Sequence, residues 1–549
     1  MRRTPQILAL GLALLHLPAI AASAERPKLV VVVSVDQMCQ DYLIRFRENF
    51  SPQGAFRRVW GEGAHYAQCH HRHAYTVTAP GHSVQLTGTY PASTGIIGNN
   101  WFDRAAGKDI YCVADPAVQV IGTISNKGMS PKNLLVETVG DVLRLKSSGK
   151  SKVFGVAIKD RASILMTGQN PSGAYWLENN VWVTSSYYRP DLPGYLRVLN
   201  EQRAIERFRG QVWSLLLPAE KYVNRGPDKN AWENPPKGFT SEFPHQLFKV
   251  GEGTAELFGD HVLFSPFGND LTLEAAREIV THEKLGQDEH PDLLCINFSS
   301  NDYVGHAFGP HSLEVEDITY RTDLQLAEFL TWLDGAVGQG NWTFALTADH
   351  GVAPIVEYAQ QYRLPAHRNP LGKLDEAKLK LEQHLRGQLG VAAAENKPLV
   401  LEFDENQIFF QPGHAALDGA RFGQAQQIAR DWLLTQPFVA IAATRDDLLR
   451  GGEGELNTAM RRTFHPRRSG EVLYFLAPYC VPGTKGTTHG SPWHYDTHVP
   501  LLLLGSGIRP GKYPRPVSQA CLASTVAELV GVNYPSANVE GPLSEALAP

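Results

Sequence analysis

Three aspartates and three histidines are spaced as ligands for metal ions would be. Asp36 follows the apolar run KLVVVVSV, Asp302 follows DLLCINFSSN, and Asp349 follows TFALTA. His306 stands in the spacing D-x-x-x-H after Asp302, His350 is adjacent to Asp349, and His489 lies in TTHGS. Carboxylate oxygens and imidazole nitrogens at this density suit zinc, and the ligand count is enough for two ions. A pair of ions about 4 Å apart can hold both the attacking and the leaving oxygen of a displacement. In a chain with 20 histidines, one His beside one Asp carries little weight. Six such residues at the ends of separate apolar runs carry much more.

A nucleophile fits the same chemistry. In AYTVTAPGHSVQLTGTYP, Thr78 precedes Ala79, Pro80 and Gly81, and a helix could begin over 82–87. A hydroxyl at a helix start faces free backbone N–H groups and the positive dipole end, which favour an alkoxide and a bound phosphate. Metal coordination would activate an otherwise weak nucleophile. Taken by itself, Thr-x-Pro-Gly also reads as an ordinary helix start. Lys159 and Arg161, in VFGVAIKDRASILM, lie two apart near the end of a strand-like run, so they could project to one side. Two such cations can contact the nonbridging oxygens of a dianionic phosphoryl group; a solvated surface pair is the other reading.

Such residues need a scaffold that brings strand ends together. Residues 28–36, 292–298, 343–348 and 499–504 are short apolar runs bounded by polar residues, as strands buried on both faces are. Between the second and third, Val315, Ile318, Thr322, Leu326, Phe329 and Leu333 recur at helical steps. Ser312 suits the start of that helix, Glu314, Glu316 and Asp317 suit its positive end, and Gly335 suits a left-handed stop. Strand, helix and strand in this order predict parallel strands with helices on the faces, whose carboxyl ends share one rim where ligands bind. Residues 175–270, rich in Trp, Tyr and Pro, read as an insertion or cap, and residues 353–479 as an irregular insertion.

Bulk properties narrow the setting. Arg2 and Arg3, an apolar run over 7–20 and the small residues Ala22-Ser23-Ala24 predict a secretory signal peptide over residues 1–24, cleaved after Ala24. Residues 25–549 are then expected to form a single domain, periplasmic or secreted, with no integral membrane segment. The net charge of -5 comes without a basic block, so nucleic acid is not an expected partner and a small-molecule substrate is. The six cysteines form no C-x-x-C pair, and Cys295, inside DLLCINF, reads as a buried small hydrophobe.

Taken together, Asp36, Thr78-Ala79-Pro80-Gly81-His82, Asp302-x-x-x-His306, Asp349-His350-Gly351 and His489-Gly490 resemble the alkaline phosphatase superfamily, in its threonine-nucleophile branch. That branch includes nucleotide pyrophosphatases, phosphodiesterases and phosphate-irrepressible (PafA-type) alkaline phosphatases. The resemblance implies an alkaline-phosphatase-like α/β/α sandwich with a largely parallel central sheet and inserted cap segments. It implies two Zn²⁺ ions, one held by Asp302, His306 and His489, the other by Asp36, Asp349, His350 and Thr78. It also implies that Asn99, in GIIGNNWFD, contacts a phosphoryl oxygen, and that the Lys159-x-Arg161 pair marks the monoesterases. The expected activity is zinc-dependent hydrolysis of small phosphate monoesters through a phosphothreonine intermediate. A phosphodiesterase or nucleotide pyrophosphatase on the same metal site is the nearest alternative, and a noncatalytic zinc- or phosphate-binding protein a more distant one. A sulfatase is disfavoured, because Thr78, Pro80 and His82 stand where those enzymes have a C/S-x-P-x-R turn.

Overall fold

A computed structural model of the chain describes residues 26–224, 226–392 and 397–548, so the leader expected over 1–24 lies outside the described residues. The central sheet uses Leu29–Val35 (β1), Ala64–His70 (β2), Val153–Ala157 (β3), Gly173–Glu178 (β4), Val181–Ser185 (β5), Asp292–Phe298 (β6), Trp342–Thr347 (β7) and His498–Gly505 (β8). Its spatial order is β2-β8-β7-β1-β6-β3-β4-β5, extended at the two edges by Gly511–Tyr513 and Val120–Ile121. The helices that matter for the site are Thr78–Thr87 (α1), Asp160–Thr167 (α2), Ser300–Phe308 (α3) and Leu313–Leu333 (α4). The result is an α/β fold with a mixed, mostly parallel sheet covered by helices.

The apolar runs become the inner strands because they can be buried on both faces at little polar cost. Every residue of β1 is buried, and so is every residue of β6. Strand β1 pairs in parallel with β6 on one side and β7 on the other, so the β6-α4-β7 unit steps over the strand between. The register is strict: Ser34 lies beside Asn297 and Thr347, and Asn297 beside Ala157. One or two residues beyond that line, all four strands open onto one rim.

Several expectations need correction. Strand β8 is antiparallel to β7 and to β2, although its sequence matches the parallel strands in character. A continuous apolar run reports burial on both faces, not direction. The reversal sets the start of β8 and the end of β2 on the same rim as the carboxyl ends of β1 and β7. Helix α4 starts at the Ser312 cap, whose hydroxyl accepts from the Val315 N–H, but it does not stop at Gly335. It passes into a π-helical turn over Asp334–Gly338, and the left-handed residue is Gly338, at φ 100°.

The segment expected to be inserted at 175 begins later, because β4 and β5 form an antiparallel hairpin at the sheet's edge, with Trp176 and Trp182 buried in packing. The stretch of chain beyond this hairpin is tied to the first turn of α4. Glu316 accepts the N–H groups of Val223 and Asn224 at 2.7 and 2.8 Å, and Asp317 accepts from Trp213 Nε1 and Leu216 N at 2.6 and 2.7 Å. The segment 353–479 is not irregular either. Val400–Phe403, Gln407–Phe410, Val439–Thr444 and Val472–Leu476 make an antiparallel sheet of their own. Helices Leu374–Leu389 and Ala420–Thr435 close a separate core with it around Leu381, Leu385, Phe410, Leu433 and Tyr474. All six cysteines are free, and Cys295 is buried within β6.

Candidate active site

The rim gathers the expected residues from separate elements. Asp36 follows β1, Asp349 and His350 follow β7, Asp302 and His306 lie on α3 just after β6, and His489 lies ahead of β8. His306 Nε2 is 3.2 Å from Asp302 Oδ1 and His489 Nε2 is 3.6 Å from the same oxygen. His350 Nε2 stands 3.5 Å from Asp36 Oδ1 and 3.2 Å from Asp349 Oδ2. Each of these histidines is aimed in the same way. His306 Nδ1 bonds the Thr487 carbonyl at 2.8 Å, His350 Nδ1 that of Gly351 at 2.9 Å, and His489 Nδ1 that of Thr76 at 2.9 Å. A carbonyl accepts only from a protonated nitrogen, so in the neutral ring that a metal binds every lone pair lies on Nε2, on the side where the carboxylates are. That is how metal-ligating imidazoles are held.

Helix α1 starts at Thr78, four residues earlier than the sequence suggests. Pro80 is no obstacle in the first turn, where its missing N–H has no acceptor to serve. Thr78 is buried, with Oγ1 3.4 Å from His350 Nε2. Asn99 Oδ1 accepts the Ala79 N–H at 2.9 Å, which fixes the amide beside Thr78 and leaves its NH₂ free to donate. Gly81 lets the helix start press against the end of β7: a Cβ there would lie 2.1 Å from the Asp349 carbonyl oxygen.

Lys159 and Arg161 are placed by a helix start rather than by alternation along a strand, since β3 ends at Ala157 and α2 begins at Asp160. The buried Lys159 ammonium lies 2.9 Å from Asp36 Oδ2 and 2.5 Å from Asp302 Oδ2, joining the carboxylates expected to serve different ions. Arg161 reaches none of the carboxylates; its Nη1 donates to the Tyr111 hydroxyl at 3.2 Å, and that hydroxyl donates to Asp160 at 2.5 Å.

The electrostatics show an excess of negative charge. Burial, then repulsion from Asp349, raises the Asp36 pKa to about 7. Burial acts on Asp302 in the same direction, but His306 and Lys159 outweigh it and hold that carboxyl well below its usual range. Burial opposes charge on His350 too, yet Asp349, Asp36 and Asp302 outweigh it and lift its pKa to about 9. Burial and the neighbouring His350 and His306 push His489 far down.

The donor set fits divalent cations. Asp36 Oδ1 and Asp349 Oδ2 are buried without a hydrogen-bond partner, an arrangement that costs several kcal/mol unless a cation meets it. Ligand atoms of Asp302, His350 and His489 lie within 4.8 Å of one another, as do those of Asp36, His82 and Asp349. His82 is a support in this set. Its Nδ1 bonds the Thr78 carbonyl at 2.8 Å and its Nε2 lies 3.0 Å from Asn297 Nδ2, so both nitrogens are spent.

Sequence reasoning gave no role to Gln37, Asn297 or Tyr111. Gln37 donates from Nε2 to Asp302 at 2.6 Å and from its backbone N–H to Asp349 at 3.2 Å, and takes a left-handed φ of 67° to do so. Such strain in a non-glycine residue is a mark of functional sites. Asn297 did carry a signal, as an amide inside the otherwise apolar DLLCINF. Tyr111 carried none.

The chain matches the type I phosphodiesterase / nucleotide pyrophosphatase family over residues 30–398. It is 36% identical over 531 residues to alkaline phosphatase PhoV of Synechococcus elongatus, covering 95% of this chain and 93% of that protein. To alkaline phosphatase PafA of Elizabethkingia meningoseptica it is 35% identical over 535 residues, covering 95% of each. A crystal structure of alkaline phosphatase PafA superposes with a TM-score of 0.87 at 33% identity, covering 96% of this chain and 100% of that one. A PafA variant has also been solved in which a threonine, an asparagine, a lysine and an arginine are replaced; they have the same spacing as Thr78 with Asn99 and Lys159 with Arg161.

Proposed function

Because the chain belongs to the type I phosphodiesterase / nucleotide pyrophosphatase family, within the alkaline phosphatase superfamily, we propose that it is an exported phosphomonoesterase that uses Thr78 as its nucleophile. Kinship with PhoV and PafA makes it an alkaline phosphatase-type enzyme acting on small phosphate esters. One observation carries the finer reading: α1 begins at Thr78 itself, with the hydroxyl facing His350 on the rim where three carboxylates converge.

Asp302, His306 and His489 would hold one zinc ion and Asp36, Asp349 and His350 another, and together these would supply the Lewis acidity to lower the Thr78 pKa and to stabilise the departing oxygen. The chain's own groups do the rest. Thr78 Oγ1 gives up its proton to solvent and forms a bond to phosphorus as the ester oxygen on the opposite side leaves with its electron pair and takes a proton from solvent, giving phosphothreonine. Water then attacks phosphorus in line, the bond to Thr78 breaks, and inorganic phosphate departs. Lys159 spends two of its three N–H donors on Asp36 and Asp302 and keeps the third for a nonbridging oxygen. The Asn99 NH₂ and the Arg161 donors not taken by Tyr111 serve the remaining oxygens. A phosphodiester carries less charge on those oxygens and gains less from the two cations.

The leader motif over 1–24 supports export to the periplasm or beyond, and among the described residues no helix is long and apolar enough to cross a membrane. The deciding experiment is steady-state hydrolysis of matched aryl phosphate monoester and diester substrates by the purified protein, with zinc and after chelation. Zinc-dependent turnover that strongly favours the monoester is expected. A diester preference would keep the metal residues and reassign the enzyme to the phosphodiesterase side of the family, and no turnover of either would remove the catalytic reading.

A further inference from the structure

A second group of histidines lies where β2 ends and β8 begins, and shares no residue with the carboxylate cluster. His70 and His498 are register partners across that antiparallel pair, and His494 stands four residues before His498 on the short helix His494–Thr497. Ring centroids are 4.4 Å apart for His70 and His498, which stack at 11° so that one ring must turn to share an ion with the other, 4.5 Å for His494 and His498, and 5.3 Å for His70 and His494. One nitrogen of each ring lies within 4.8 Å of the other two.

The hydrogen bonds say which nitrogens are available. His498 Nε2 is 2.9 Å from the Ala67 carbonyl, so it carries the proton and Nδ1 keeps a lone pair. That Nδ1 accepts from His494 Nε2 at 3.0 Å, a hydrogen bond that an incoming ion replaces as it displaces the shared proton. His70 Nε2 is 3.3 Å from Gln68 Oε1, which in the same way leaves its Nδ1 free. His306, His350 and His489 are held by the same device, one ring nitrogen donating to an oxygen and the other presented. Burial and the adjacent histidines push the His70 pKa down to about 3 and burial lowers that of His498, so both rings are neutral, as ligands must be. His494 is exposed, which gives an ion a way in and leaves water for a fourth position.

We propose that His70, His494 and His498 form a third metal site, for a divalent transition ion of the zinc class, with ligands distinct from those of the carboxylate cluster. Three imidazoles without a carboxylate suit zinc, copper or nickel and not calcium or magnesium. The location gives the ion a task. His70 leads into the segment that ends at Thr78, and His494 follows the loop that carries His489. The two segments already cross: the His71 N–H donates to the Thr497 carbonyl at 2.9 Å, and Thr76 Oγ1 donates to the Ser491 carbonyl at 2.8 Å. An ion bound by all three histidines clamps that crossing and so positions Thr78 and His489, a consequence that rests on the proposed function, whereas the site itself does not.

The test uses untagged full protein, stripped by chelation and re-equilibrated with Zn²⁺, with bound metal counted by mass spectrometry and unfolding followed by heat. His494→Ala and His70→Gln, on opposite sides of the crossing, are each expected to bind one equivalent of zinc fewer than wild type. Both should also lose part of the rise in Tm that zinc produces. Equal zinc counts in all three proteins would overturn the proposal. So would variants that melt lower by the same amount with and without zinc, since the histidines would then be packing only. Neither readout needs substrate, so failure of the phosphatase reading leaves this one intact.

Discussion

Two parts of the molecule bury carboxylates next to histidines, and they do opposite things with them. At the start of α4, Glu316 accepts from two backbone N–H groups and from the Tyr320 hydroxyl, and Asp317 accepts from Trp213, Leu216, Tyr222 and Arg321. Glu314, beside His245 at 3.0 Å, is pushed well above its usual range by burial and by Asp228, while burial lowers His245 to about 4. That contact is therefore a neutral hydrogen bond rather than an ion pair. On the rim, Asp36 Oδ1 and Asp349 Oδ2 have no hydrogen-bond partner, only the nearby His350 ring, which is driven up to about 9 by the surrounding charge. Burial and acid-histidine pairing are common to both regions. The seam leaves an acceptor open as well, at Glu314 Oε2; what sets the rim apart is that its carboxylates and imidazoles converge on one another rather than on backbone N–H groups.

The sharpest way to break this contrast is at Thr78. Thr78→Ala is expected to lower monoester turnover by about 10⁴-fold or more, with melting temperature and metal content unchanged, and to abolish the phosphothreonine trapped by acid quenching of wild type. Retained turnover would remove the rim's claim to be the reactive cluster. Next in size, replacing Lys159 and Arg161 together by Ala should cost about 10³-fold on a monoester and about tenfold or less on a diester. Equal losses on the two substrates would mean that the pair serves the carboxylates and not the phosphoryl group.

The opposite result is expected from the α4 seam. Asp317→Ala strands the buried N–H groups of Trp213 and Leu216 and should cost about 3–4 kcal/mol of stability, seen as a lower urea midpoint, with turnover per folded molecule little changed. Much of the rim was legible because its residues sit at the ends of strands whose continuous apolar runs give them away. The seam was not: Glu314, Glu316 and Asp317 read as dipole-favouring residues on a solvated first turn, because their partners Val223, Trp213 and His245 are about 70 to 100 residues away in a segment with no periodicity. The direction of β8 was hidden for a related reason, since a strand buried on both faces looks the same whichever way it runs. The sheet of the 353–479 segment escaped notice because its strands are only four to six residues long.

The smallest expected effect probes how far the seam's tolerance of charge extends along the same helix. Asp323, fully buried on α4, accepts the Phe56 N–H at 2.8 Å on one oxygen, and burial raises its pKa to about 6. A carboxyl whose folded pKa exceeds its unfolded value of 3.8 contributes most to stability below about pH 4 and loses that contribution as pH rises through 6. Asp323→Asn cannot titrate, so whatever the substitution costs at pH 4, the gap to wild type should move in the variant's favour by about 2 kcal/mol between pH 4 and pH 8. A gap that stays flat would mean that Asp323 ionises without penalty. Helix α4 would then hold a buried charge as easily as the rim does, and the gathering of charged groups at the rim would no longer distinguish the two regions.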